Sequence, residues 1–166
     1  MNYQYDTLAS SVRLKDVISC AENRAILYRL KNNDPGLTCL FIDESDDNYE
    51  DETDIFQVME GDDLGWLGYF IGRNETLESL YVYYLPTNRD QVENLLFGMQ
   101  RNKSIKDCDF NGNGIISEGF SAMNLPHVTS ISFDCHQECA HYFALGLRRC
   151  KSLENYYGPV TAEIVA

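Results

Sequence analysis

The chain has 166 residues, 44% of them hydrophobic and 12% aromatic, which is enough for one domain with a sizeable core. Twenty-six acidic against 13 basic side chains leave a formal net charge of −13, which argues against nucleic acid and anionic membranes, since both demand basic patches. No run of about 18 apolar residues is present to span a membrane. The start, "MNYQYDTLASSVRLKD", lacks the charged and apolar regions of a secretory signal, so the expected home is intracellular, cytoplasmic or nuclear. In that setting the six cysteines are expected as reduced thiols rather than a disulfide framework.

In chain order, residues 1–36 read as an N-terminal segment with a capping helix. "DVISCAENRAILYRLKN" (16–32) sets Val17, Cys20, Ala21, Ile26, Leu27 and Leu30 mostly on one stripe. "PGLTCLFIDES" (35–45) alternates like a short strand. The stretch "DESDDNYEDETD" (43–54), with eight acidic residues in twelve, reads as a solvated loop or a docking segment for a basic partner. A helix then begins after Asp62 or Asp63 as N-cap, and another after Asn88. "ISEGFSAMN" and "HQECAHYFALGLRR" supply two more.

Beneath these elements lies a repeat. "GRNETLESLYVYYL" (72–85), "QRNKSIKDCDFNGN" (100–113) and "RRCKSLENYYGPVT" (148–161) align without gaps, and the segments from Pro35 and Asn124 join them more loosely. Leu37, Leu77, Ile105, Val128 and Leu153 lead the five copies, at spacings of 40, 28, 23 and 25 residues. Three and five places on come Leu40 and Ile42, Leu80 and Val82, Cys108 and Phe110, Ile131 and Phe133, Tyr156 and Gly158. That is the period-two signature of one buried strand face. The ninth places hold Ser45, Leu85, Asn113, His136 and Thr161.

These segments resemble leucine-rich repeats of pattern LxxLxLxxN, and the 28-residue interval is similar to the ribonuclease-inhibitor-like class. "DDLGWLGYFIGRNETLESLYV" also resembles repeat segments of leucine-rich-repeat proteins of algae and protists. The resemblance implies an α/β fold, a right-handed solenoid of four to five repeats over residues 37–166, with a parallel concave sheet and outer helices. It implies a buried Asn at the ninth place. The chain departs from the pattern at Leu85 and His136, and again at Gly158 and Pro159.

Three stretches invite other chemistry. "DFNGNGIISEGF" (109–120) looks like a calcium loop, yet Phe120 stands where position twelve needs a bidentate Glu. Starting at Asp107 puts Glu118 there but moves Gly114 to the apolar eighth place, so a metal-responsive protein using 107–118 remains the alternative reading. "DCHQECAH" (134–141) crowds two Cys and two His into one turn, an arrangement that rarely closes a tetrahedral zinc site. The same residues show no orienting third group for a Cys–His nucleophile. Sequons at Asn74 and Asn102 fall at equivalent repeat positions, so repeat grammar explains them.

The expectation is a non-catalytic protein-binding module without cofactor or metal. Its outward strand positions would carry the contact: Phe41, Asp43, Tyr81, Tyr83, Asp109, Asn111, Ser132, Asp134 and Tyr157. The partner would be another protein, with basic character favoured by the acidic loop. The abrupt ending "YYGPVTAEIVA", without a polar capping repeat, also admits a piece of a larger repeat-containing receptor or regulator.

Overall fold

The computed structural model of the protein describes residues 4–44, 54–85, 88–111, 114–134 and 137–158. Its strands are β1 (Cys39–Asp43), β2 (Ile55–Gln57), β3 (Ser79–Tyr83), β4 (Asp107–Asn111), β5 (Ser130–Asp134) and β6 (Asn155–Tyr157). All but β2 begin two residues after a leading aliphatic residue of the repeat. They form one open, all-parallel sheet in the order β2-β1-β3-β4-β5-β6. Leu40, Ile42, Leu80, Val82, Cys108, Phe110, Ile131 and Phe133 are buried, as the period-two pattern requires. The predicted run through Gly158 stops short: β6 ends at Tyr157, and Gly158 lies exposed in a bend.

The helices are α1 (Gln4–Leu8), α2 (Ala21–Lys31), α3 (Leu64–Arg73), α4 (Arg89–Met99), α5 (Gly114–Ala122) and α6 (Ala140–Leu147); α1 and α2 precede β1, β2 follows β1 directly, and from α3 onward helix and strand alternate. From α2 onward each packs against the next, so helices and strands stack in one direction. The N-caps read from the sequence are made: the Asp63 side chain accepts from Gly65 N–H, and Asn88 from Gln91 N–H. The predicted helix from Asp16 is shorter than its apolar stripe suggests. Ile18 is fully buried ahead of it, the Arg24 guanidinium donates to the Ile18 and Ser19 carbonyls, and the helix starts only at Ala21.

Neighbouring repeats are locked by two devices, one ahead of β3, β4, β5 and β6 and the other ahead of β3 and β4 alone. In the first, one carbonyl accepts two successive N–H groups from the next repeat. Thr38 O takes Glu78 and Ser79, Glu78 O takes Lys106 and Asp107, Lys106 O takes Thr129 and Ser130, and Thr129 O takes Glu154 and Asn155. In the second, a buried Asn three residues before the leading aliphatic ties its own turn to the repeat behind. Asn74 Oδ1 accepts from Thr76 and Leu77 N–H while Nδ2 donates to Leu30 O. Asn102 Oδ1 accepts from Ser104 and Ile105 N–H, and Nδ2 donates to Ile71 O and Asn74 O. These are the two sequon asparagines, and their amides are spent inside the fold. The buried Asn was expected instead at the ninth place. There Leu85 is an apolar core residue, and Ser45, Asn113, His136 and Thr161 lie outside the described residues.

Strand β2 carries no sequence signal because tertiary contacts alone make it. Phe56 is fully buried, and Asn23 of α2 brackets Gln57, donating to its carbonyl and accepting from its N–H. Phe41 N–H donates to Asp54 O, and Arg29 pairs with Asp54. The acidic stretch 43–54 is therefore anchored at both ends, Asp43 closing β1 and Asp54 leading into β2; residues 45–53 lie outside the described residues.

Helices α3 and α4 approach until their backbones touch. A Cβ on Gly98 would fall 2.2 Å from the Gly68 carbonyl carbon, and one on Gly68 would fall 2.5 Å from Leu95 O. Helix α1 packs on α3: Tyr5 meets Trp66 edge to face at 4.8 Å, while Asp6 pairs with Arg73 and with Arg101 beyond α4.

These contacts set the cost of two substitutions. Asn102→Ala leaves buried N–H and C=O groups without partners at about 1–3 kcal/mol each. It should lower the urea unfolding free energy by roughly 2–4 kcal/mol, while exposed Lys103→Ala changes it by less than about 0.5. Gly98→Ala gains up to about 1 kcal/mol of helix propensity but forces two backbones apart, so the overpacking cost of about 1–3 kcal/mol should dominate and lower the melting temperature.

Candidate interaction surface

Opposite the core, the sheet lines side chains of different repeats into rows. One row runs Phe41, Tyr81, Asp109, Ser132, Tyr157, with Ile55 beyond Phe41; the next runs Gln57, Asp43, Tyr83, Asn111, Asp134. All nine outward residues read from the sequence thus share one face. They are not equally accessible. Phe41 and Asp43 are buried, Tyr81, Tyr83, Asp109, Asn111 and Ser132 are half-buried, and Asp134 and Tyr157 are exposed.

A third row on the same face was not among the expected residues: Cys39, Ser79, Asp107, Ser130, Asn155. The sequence does carry its signal, since each member lies two residues before a residue assigned outward and period two puts both on one side. Asp107 matters most. The Tyr81 hydroxyl donates to Asp107 Oδ2 at 3.3 Å, and the Tyr83 hydroxyl donates to Asp109 Oδ2 at 3.2 Å. Each tyrosine therefore reaches one row back from its own register partner, so both rings lean the same way. Behind them Phe41 stacks on Tyr81 with centroids 4.5 Å apart and planes 9° from parallel. Three aromatic rings and two carboxylates form one supported patch.

The charge on this face has a single sign. Outward positions of the six strands hold Asp43, Asp107, Asp109 and Asp134 and no Lys or Arg. Burial, with the negative charge of Asp107 beside it, pushes the Tyr81 hydroxyl up to about 12, so it stays a neutral donor at physiological pH.

The residues of the calcium-like stretch point in different directions. Asp107 and Asp109 hold tyrosine hydroxyls on the open face, whereas Glu118 on α5 pairs with Arg89 of α4, and Asn113 lies outside the described residues. In "DCHQECAH", Cys135 and His136 lie outside the described residues; Cys139 ends a short 3-10 turn before α6, and His141 Nδ1 lies 3.1 Å from Glu138 O. Among the described residues no three His, Cys, Asp or Glu side chains gather where they could hold a metal ion.

The Tyr81 environment is directly measurable. Tyrosines of the unfolded chain ionise near pH 10, roughly, so the folded protein keeps this proton longer. Stability from this group is full below about pH 10 and drains as pH rises towards 12. An ultraviolet tyrosinate titration of wild type minus Tyr81→Phe should show a component ionising late, near pH 12, and Asp107→Asn should bring it down.

No family model matches the chain, and no curated protein matches it. Among solved structures it is similar to leiomodin-1 actin-binding site 2, with a TM-score of 0.53 over 84% of this chain and 80% of that chain, at 18% sequence identity. At that identity the likeness bears on the fold alone, and it agrees with a repeating architecture of parallel strands alternating with helices.

Proposed function

We propose that this protein is a non-catalytic, intracellular protein-interaction module: a short leucine-rich-repeat solenoid that binds a basic protein partner through the open face of its sheet. The right-handed coil of that solenoid rests on the strong preference of parallel strand–helix–strand units for that hand, and the wider spacing of packed helices than of strands makes the open face the concave one. The observation that carries the reading is the row-by-row register. It gathers Tyr81, Tyr83, Asp107, Asp109, Asp134 and Tyr157 from four separate strands onto one surface of uniform charge. Tyrosine suits such a surface because it offers large contact area at low entropic cost. Half-buried rings already supported by Phe41 lose little further freedom on binding.

The similar solved structure adds support of a limited kind. A segment of this fold in leiomodin-1 is named for binding a protein, actin. The partner itself is not carried over, because 18% identity says nothing about which surface residues are shared. Charge complementarity points instead to a partner patch rich in Arg or Lys, with association that weakens as salt rises.

The test is capture of partners from a lysate, followed by calorimetry with the captured protein. Tyr81→Ser with Tyr83→Ser should lower affinity by about 10- to 100-fold, or ~1–3 kcal/mol, with the far-ultraviolet circular dichroism unchanged. Equal affinity for variant and wild type would move the binding surface elsewhere.

A further inference from the structure

The open face is not flat. Every outward side chain on β4 and β5 is short (Asp107, Asp109, Asn111, Ser130, Ser132, Asp134), while Tyr81 and Tyr83 lean from β3 until their hydroxyls reach the β4 carboxylates, and the exposed Tyr157 stands on β6. The open width therefore runs from β4 to β6, two strand spacings or about 10 Å. That is tight for an α-helix of about 10–12 Å but ample for one extended segment.

Its floor and wall keep the same step. Asp107 and Asp109 stand two residues apart on one strand, as do Tyr81 and Tyr83, which is about 6.6 Å along the sheet. An extended guest turns every second side chain downward at that same interval. We infer that the trough receives an extended Arg-x-Arg segment, each guanidinium lying against one tyrosine ring and pairing with the carboxylate beside it. This deepens, and rests on, the sheet-face reading above.

Arginine fits better than lysine on two counts. Its planar guanidinium stacks on an aromatic face and still presents a fork of donors to a carboxylate, whereas an ammonium is a point charge. The tyrosines are also prepared for it. Phe41 covers one face of the Tyr81 ring, so the other face is turned towards β4. The tyrosine hydroxyls take one acceptor site each on Asp107 and Asp109, and a carboxylate offers about four.

The test uses labelled Gly/Ser peptides carrying Arg-x-Arg, Arg-x-x-Arg, Lys-x-Lys or citrulline-x-citrulline, compared by fluorescence anisotropy at one ionic strength. Arg-x-Arg should bind at least about tenfold tighter than the citrulline and Arg-x-x-Arg peptides, with Lys-x-Lys between. Asp109→Asn, which keeps shape and removes charge, should reduce Arg-x-Arg to the level of Arg-x-x-Arg. Equal binding of the two arginine spacings would overturn the inference and leave a face that attracts charge without registering it. Failure of Arg-x-Arg to bind would overturn it as well, while capture of a partner through Tyr81 and Tyr83 would still uphold the face. Tight Arg-x-Arg binding indifferent to Asp109→Asn and to Tyr81→Ser would place the ligand elsewhere and sink both readings.

Discussion

Strand register is the constraint on which everything else in this protein depends. A parallel sheet shifted by one residue would turn Leu80, Val82, Cys108 and Phe110 outward and carry the tyrosines and aspartates into the core. What prevents the slip lies just ahead of the strands, where one carbonyl holds two N–H groups of the next repeat and Asn74 and Asn102 bind three repeats' turns together. Each asparagine is buried with its amide satisfied on both sides, so the lock has direction as well as strength: a polar group there has one low-energy arrangement. The open face inherits its order from this lock.

The helix layer obeys the same spacing from the other side. Strands in one sheet stand about 4.8 Å apart, whereas packed helices need about 8–10 Å. Where helix and strand alternate, the helices must therefore come as close as side chains allow, and at α3 and α4 the solution is glycine against glycine. Gly68 and Gly98 are thus part of the same geometry that aligns Tyr81 with Asp109 across the sheet. The asparagine is not required at every turn: Leu125 and Cys150 take its place in the last two repeats, where the paired N–H groups on the Lys106 and Thr129 carbonyls still hold the register.

Most of the architecture was legible because it is periodic. Five strands, two N-caps and the outward set from Phe41 to Tyr157 all follow from alternation and cap chemistry, which are local and written in consecutive residues. Strand β2 was illegible because three residues have no period to display; Asn23 and Arg29, more than twenty positions earlier, hold it in place. The asparagine lock was visible yet misplaced, because the general repeat pattern directs attention to the end of the strand while this chain writes its buried Asn before it. Asp107 falls outside the expected outward set because that set takes only the two places flanking the second buried residue of each strand, although its parity puts it beside Asp109. Which residues of the face would be covered, as Phe41 and Asp43 are, depends on neighbouring strands and could not be read from any one segment.

The central claim is that partners meet the sheet rather than the helices, which themselves carry exposed apolar side chains such as Phe97 and Leu145. A photo-crosslinking side chain placed at Ser132, on the floor of the open face, and separately at Phe97, on α4, would decide between the two surfaces in a lysate, whatever the partner's identity. The account predicts a discrete crosslinked protein from Ser132 and none from Phe97. The same discrete product from Phe97 alone would contradict it.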